Sequence, residues 1–240
     1  MKKTLLITGV LLALTATVAS AAGVNLYWTD CSVGGATNRN VAFNVNTGNN
    51  VMVASYDPPA GLTMVTGNNL ILDLQSASTP LPLWWDLFNS GSCRTGPTEN
   101  TVFLSGNCTD YWGGGGAGGI TAYLNTGANR RRIGASWSGN EATAGPQTPG
   151  TEYYSVNIVV NNLKSTGTGS CAGCLDPVCI VLNEILISQP AGTAGGSPAV
   201  TNPATSNYVT WQGGAIGGNG CPAATPTINK TWGQVKSIYR

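Results

Sequence analysis

The 240-residue chain contains no histidine. Without an imidazole there is no Ser-His-Asp or Cys-His nucleophile, and the usual zinc hydrolase sites lose their commonest ligand. Ten carboxylates remain: Asp30, Asp57, Asp73, Asp86, Glu99, Asp110, Glu141, Glu152, Asp176 and Glu184. Glycoside hydrolysis needs two of them at a set distance across a cleft. Glu184 falls in the apolar run 179–188, where burial would raise its pKa as a general acid requires. No catalytic motif surrounds any of the ten, so no catalytic residue is assigned and the chain is expected not to be an enzyme. A carboxylate-dependent glycosidase stays as a third reading. Asp57, Asp73 and Asp176, with the many Asn carbonyls, could supply hard oxygen ligands to calcium, although no EF-hand or repeat pattern is present. No other metal or cofactor is expected.

Seven cysteines offer different chemistry: Cys31, Cys93, Cys108, Cys171, Cys174, Cys179 and Cys221. In an exported chain they should be mostly disulfides. Cys93 and Cys108 bracket a short loop of the kind a bridge closes, which would contribute about 3 kcal/mol. The spacing Cys171-x-x-Cys174-x-x-x-x-Cys179 invites a metal, but no fourth close ligand is visible. A redox-active Cys-x-x-Cys would need a βαβ setting that the pattern lacks. Seven is odd, so one thiol lacks a partner within the chain. Cys221 is the natural candidate: free, paired between chains, modified, or joined to a cluster cysteine.

Aromatic side chains point to binding. Seven Trp and eight Tyr are present, and Trp84, Trp85, Tyr111 and Trp112 fall in a loop-rich stretch where flat faces could meet a ligand such as a sugar. The opposing expectation is that large aromatics fill cores.

These residues are positioned by strands. Apolar and other residues alternate with period 2 at Val24, Leu26, Trp28; at Val41, Phe43, Val45; at Leu70, Leu72, Leu74; and at Tyr154, Val156, Ile158, Val160. Such alternation marks strands with one buried face. The turn 47–50 before Val51–Tyr56 reads as a hairpin. Residues 120–124, 133–137 and 208–212 are further strands, and 179–188, apolar on both faces, is a central one. The expected fold is all-β: an immunoglobulin-like or jelly-roll sandwich over 22–212. Residues 75–119, with Pro80, Pro82, Pro97 and Gly113 to Gly116, read as long surface loops with a helical turn near Trp84–Phe88. Arg130 to Arg132 reads as a solvated turn or strand end.

Both termini look like addresses. Lys2 and Lys3, an apolar run to about Val18 and Ala19-Ser20-Ala21 form a cleavable signal peptide, 1–21. The run is too short and too broken by Thr8, Gly9, Thr15 and Thr17 for a membrane span. Membrane contact is therefore expected only through the transient signal, and the location is extracellular. Residues 213–230 are a Gly/Pro-rich linker. In 231–240, Thr231 and Gln234 form a capping box, and Trp232, Val235 and Tyr239 share a helical face. Lys236 suits the helix C-terminus, so 231–240 is expected to be a docking tail. Eleven basic residues against ten acidic ones give no reason to expect a nucleic acid partner.

The strand Val41-Ala42-Phe43-Asn44-Val45, the strand ending in Tyr56-Asp57-Pro58, and Leu70-Ile71-Leu72-Asp73-Leu74 resemble the opening of cohesin-like and carbohydrate-binding β-sandwiches. The strand 152–161 followed by 179–188 fits the same pattern. The tail Thr231-Trp232-Gly233 to Tyr239-Arg240 looks like short endings of secreted proteins from uncultured bacteria, which implies a shared surface-targeting or docking role. The expected function is a secreted, non-enzymatic sandwich that binds or assembles with an extracellular or cell-surface protein or polysaccharide. A carbohydrate-binding module is the alternative.

Overall fold

The computed structural model describes residues 22–31, 38–87, 93–94, 98–100 and 107–214. The expected signal peptide, the tail helix with Trp232, Val235, Lys236 and Tyr239, Cys221, and nearly all of the expected linker lie outside the described residues.

Among the described residues, eleven strands form two antiparallel-dominated sheets packed face to face. The small sheet has the order β1 (Gly23–Trp28), β3 (Asn49–Asp57), β8 (Tyr153–Asn161) and β5 (Thr98–Asn100). The large sheet runs β2 (Asn40–Val41), β11 (Tyr208–Trp211), β9 (Val178–Ser188), β4 (Gly67–Ser76), β7 (Arg130–Ser138) and β6 (Ala117–Gly127), with β10 (Ala199–Val200) on β9. No helix among the described residues is long and apolar enough to cross a membrane.

Alternation explains the large sheet. Leu70, Leu72 and Leu74 are buried while Asn69, Ile71 and Asp73 between them are half-buried. Side chains of a strand point to opposite faces in turn, so one set enters the core. β9 is central, paired to β4 on one side and to β11 and β10 on the other.

Two local expectations are corrected. Residues 41–45 and 51–56 do not form a hairpin: β2 pairs parallel with β11, and β3 pairs with β1 and β8. Phe43 is used for packing instead, its ring 4.6 Å edge-on from Trp211. Tyr154 does not share the inward face of Val156, Ile158 and Val160. A register shift between Ala54 and Ser55 skips Ser155 in the pairing, as a bulge does. Tyr153 therefore enters the core, and Tyr154 joins Cys31 and Val53 on the other face.

The segment read as surface loop is partly interior. Leu83–Trp85 is a 3-10 turn, and Trp84 and Trp85 are 0% and 1% exposed. With Trp28, Trp211 and Phe43 they form one aromatic cluster, with Trp84 and Trp85 centroids 4.8 and 5.0 Å from Trp211. Trp84 donates its indole N–H to Ser165 Oγ and Trp28 to the Thr210 carbonyl, so neither buried donor is stranded.

The bridges also differ from expectation. Cys93 and Cys108 are not joined. Cys31 bonds Cys108 and Cys93 bonds Cys171, at Cα separations of 6.1 and 5.8 Å. Cys108 lies against the outer face of the small sheet, where β1 delivers Cys31. Cys174, expected in a disulfide, is a buried free thiol, whereas Cys179 is disulfide-bonded.

Candidate binding surfaces

The two outer faces of the sandwich are finished differently. On the small sheet, β1 is buried on both faces. Tyr27, Val53 and Tyr154 are all 2% exposed or less. The Cys31–Cys108 bridge packs there with Val53 and Tyr154. A polar network lies beside it: Glu152 Oε1 accepts from Asn25 Nδ2 at 2.8 Å and Ser55 Oγ at 2.5 Å. Asn25 Oδ1 accepts from the amides of Thr205 and Ser206. Tyr154 donates to Asp30 Oδ1 at 2.6 Å, and burial followed by that acidic acceptor raises its pKa.

The outer face of the large sheet stays open over β6 and β7. Leu124 is 54% exposed there. At its centre Arg132 meets Asp73, with Asn183 Nδ2 adding a third donor at 2.8 Å. Around this group the outward positions of β6 and β7 are small: Gly119, Ala122, Gly134, Ser136 and Ser138. A groove of about 560 Å³ crosses the Gly-rich end of this face, between Asn69, Ser136, Ser188 and Thr121.

The groove adjoins a pocket of about 290 Å³ at the end of the sandwich, sharing Gly139 with it. Tyr111 and Trp112 form one wall, and the rim carries Asp110, Gly113, Gly116, Asn140 and Thr143. The walls are pinned. Tyr111 Oη donates toward the Val65 and Gly145 carbonyls and accepts from the Gly145 amide at 2.7 Å. Trp112 Nε1 lies 3.2 Å from both the Tyr154 and Ser155 carbonyls. Asp110 Oδ1 accepts from the Trp112 and Gly113 amides, fixing the turn. Gly113 and Gly114 need glycine because their φ values are +56° and +73°.

Of the expected aromatic platform, Tyr111 and Trp112 therefore reach a pocket together. Trp84 and Trp85 do not, because the core takes their faces. Trp112 itself is 8% exposed, with Gly139 against its benzo edge, so it offers an edge rather than a face. Trp137 borders the groove, but it alternates with the outward Ser136 and Ser138, and its ring packs inward against the core. Gly118 pairs opposite it, and a Cβ there would sit 2.6 Å from that ring.

Among the described residues, the carboxylates expected to bind calcium form no common cluster. Asp57 Oδ1 accepts from the Gly150 amide, Asp73 is held by Arg132, and Asp176 Oδ2 accepts from Ser78 Oγ. The three expected calcium ligands thus sit apart, each with its own donor. Among the described residues, one group of side chains has metal-ligand spacing: Cys31, Cys108 and Glu152. Both its sulfurs are in a disulfide and cannot act as thiolates. Glu184 is half-buried at the β9 bulge opposite Ile71 and lines neither the groove nor the pocket.

No family model matches the chain, and no curated protein matches it in sequence. Among solved structures it is similar to a cohesin module from a family 33 glycoside hydrolase of Clostridium perfringens, at 9% identity and a TM-score of 0.36, covering 80% of this chain and 97% of that one. It is also similar to the sixth cohesin of scaffoldin B from Acetivibrio cellulolyticus, solved in complex with a dockerin mutant. That likeness has 11% identity and a TM-score of 0.27, over 75% and 99% of the two chains.

Proposed function

We propose that this chain is an exported, non-enzymatic β-sandwich that binds or assembles with another component outside the cell, through the open half of its large sheet. The contrast between its two outer faces carries this reading. One face is sealed by a disulfide and a buried polar network. The other presents an organised ion pair, small neighbours and an exposed Leu124. The disulfides suit an oxidising compartment. The groove and pocket contain one carboxylate, Asp110, whose Oδ1 is already engaged, whereas glycoside hydrolysis needs a facing pair.

The test is co-sedimentation of the purified secreted chain with cell envelopes of the producing organism. The wild type should sediment with them. The double variant Leu124→Asp, Arg132→Glu should stay in the supernatant with an unchanged circular dichroism spectrum. Equal sedimentation of both, or none by the wild type, overturns the reading.

The pinned pocket at Tyr111 and Trp112 supports a second reading as a carbohydrate-binding module. Affinity electrophoresis on a polysaccharide panel decides it. Retardation that Asn140→Ala with Thr143→Ala abolishes supports sugar binding, and no retardation on any glycan ends it.

A further inference from the structure

The outer face of the large sheet is shut from solvent over β9, although it is open over β6 and β7. Cys179 and Val181 alternate with the inward Val178, Ile180 and Leu182, so their side chains point away from the core between the sheets. They are nevertheless 1% and 0% exposed. Cys179 lies between Gln75 of β4 and Thr210 of β11, and Val181 between Asp73 and Tyr208. Among the described residues, Tyr208 is the apolar side chain packed on this pair. Gln75 Oε1 is buried here too, with no hydrogen-bond partner among the described residues. Strand neighbours stand beside these side chains rather than above them, so the burial needs a further cover.

The cysteine count identifies that cover. Two bridges use Cys31, Cys108, Cys93 and Cys171, and Cys174 is a free thiol. Cys179 is disulfide-bonded. Of the seven cysteines, Cys221 alone remains to be its partner. We propose that Cys179 is bonded to Cys221 of the same chain, and that residues 215–221 cover Cys179, Val181 and Gln75. Forming the bond takes two electrons and two protons from the two thiols. A disulfide of the oxidising compartment receives them and leaves as two thiols.

The described chain ends where this path begins. Gly214 lies against Val178, the residue before Cys179: a Cβ on Gly214 would meet the Val178 carbonyl oxygen at 2.5 Å. Cys221 follows seven residues later, a reach of up to about 24 Å. A disulfide needs Cα atoms only about 4–7 Å apart, so the segment must turn back, and its Gly217-Gly218 pair supplies the freedom. Ile216 is its large apolar residue, suited to meet Val181. The β9–β11 half of the face is then occupied by the chain itself. The β6–β7 half, with Leu124 and Arg132, is left for a partner. The cover is in place whatever that partner is.

The test is disulfide mapping of the purified full chain, with free thiols blocked by N-ethylmaleimide at acid pH before digestion. Cleavage before Asp176 and after Glu184 isolates Cys179 from Cys171 and Cys174. The Asp176–Glu184 peptide should be linked to the peptide carrying Cys221, and the intact protein should run as a monomer without reductant. In native Cys221→Ser, iodoacetamide should alkylate Cys179 at least tenfold faster than the buried Cys174. A wild-type Cys179 that maps to any other cysteine, to a second chain or to a free thiol overturns the proposal. So does a Cys179 in Cys221→Ser that reacts no faster than Cys174. Should that variant fail to fold, the wild-type map decides.

Discussion

Arg132 grips Asp73 as a fork: Nε and Nη2 each lie 2.7 Å from a different carboxylate oxygen. The two face each other across β7 and β4 on the open side of the large sheet. The Arg132 side chain is 43% exposed, so solvent screens the pair despite its good geometry. Arg132→Ala should cost no more than about 1 kcal/mol. Urea unfolding at low salt and at 1 M NaCl checks this, and the difference from wild type should shrink at high salt.

Trp84 should behave in the opposite way. It is fully buried among Trp85, Trp211 and Phe43. Trp84→Ala should destabilise by about 3–5 kcal/mol through lost burial and a cavity. Leu124→Asp, on the open face, should shift stability by about 0.5 kcal/mol or less. Equal effects of the two in chemical denaturation would contradict the assignment of core and surface.

Two glycines should respond to alanine for different reasons. A Cβ on Gly118 would lie 2.1 Å from the Ser136 carbonyl oxygen and 2.6 Å from the Trp137 ring. Backbone cannot yield there, so Gly118→Ala should part β6 from β7, with a change in Trp137 fluorescence. Gly114 has open space around it and only a φ of +73° to defend. Gly114→Ala should cost about 1 kcal/mol and leave the fluorescence unchanged.

Alkaline pH should expose the buried tyrosines. Burial raises the phenol pKa of Tyr56, Tyr111 and Tyr154, and pushes that of Tyr123 up to about 12. The folded chain then keeps protons that the unfolded chain loses above about pH 10. Their contribution is whole below that pH and falls as pH rises through 12. Arg94 works the other way in the same window, because burial lowers its pKa to about 10. Four phenols against one guanidinium leave a net loss. Native absorbance titration at 295 nm should show fewer than the eight tyrosines of the chain ionising before unfolding.

The strands were legible because alternation reports directly on burial, as Leu70, Leu72 and Leu74 show. Three things were hidden because they depend on distant partners. The pairing of Cys108 with Cys31 rather than Cys93 follows from which strand ends meet on the small sheet. Trp84 and Trp85 looked like a loop platform, since proline-rich flanks give no sign that a 3-10 turn will plug a core. The pocket at Tyr111 and Trp112 needs Asn140 and Thr143, which lie far along the chain and meet it only after β6 and β7 pair. The hairpin expected at 47–50 failed because local turn chemistry cannot see that β8 and β1 offer β3 better neighbours.

The two bridges interleave: Cys93 falls between Cys31 and Cys108, and Cys108 falls between Cys93 and Cys171. A protease that severs any one peptide bond between residues 31 and 171 therefore releases nothing, since at least one bridge always straddles the break. The nicked protein would migrate as a single species until a reductant is added. The interleaving thus turns a single cut in this span into a silent one.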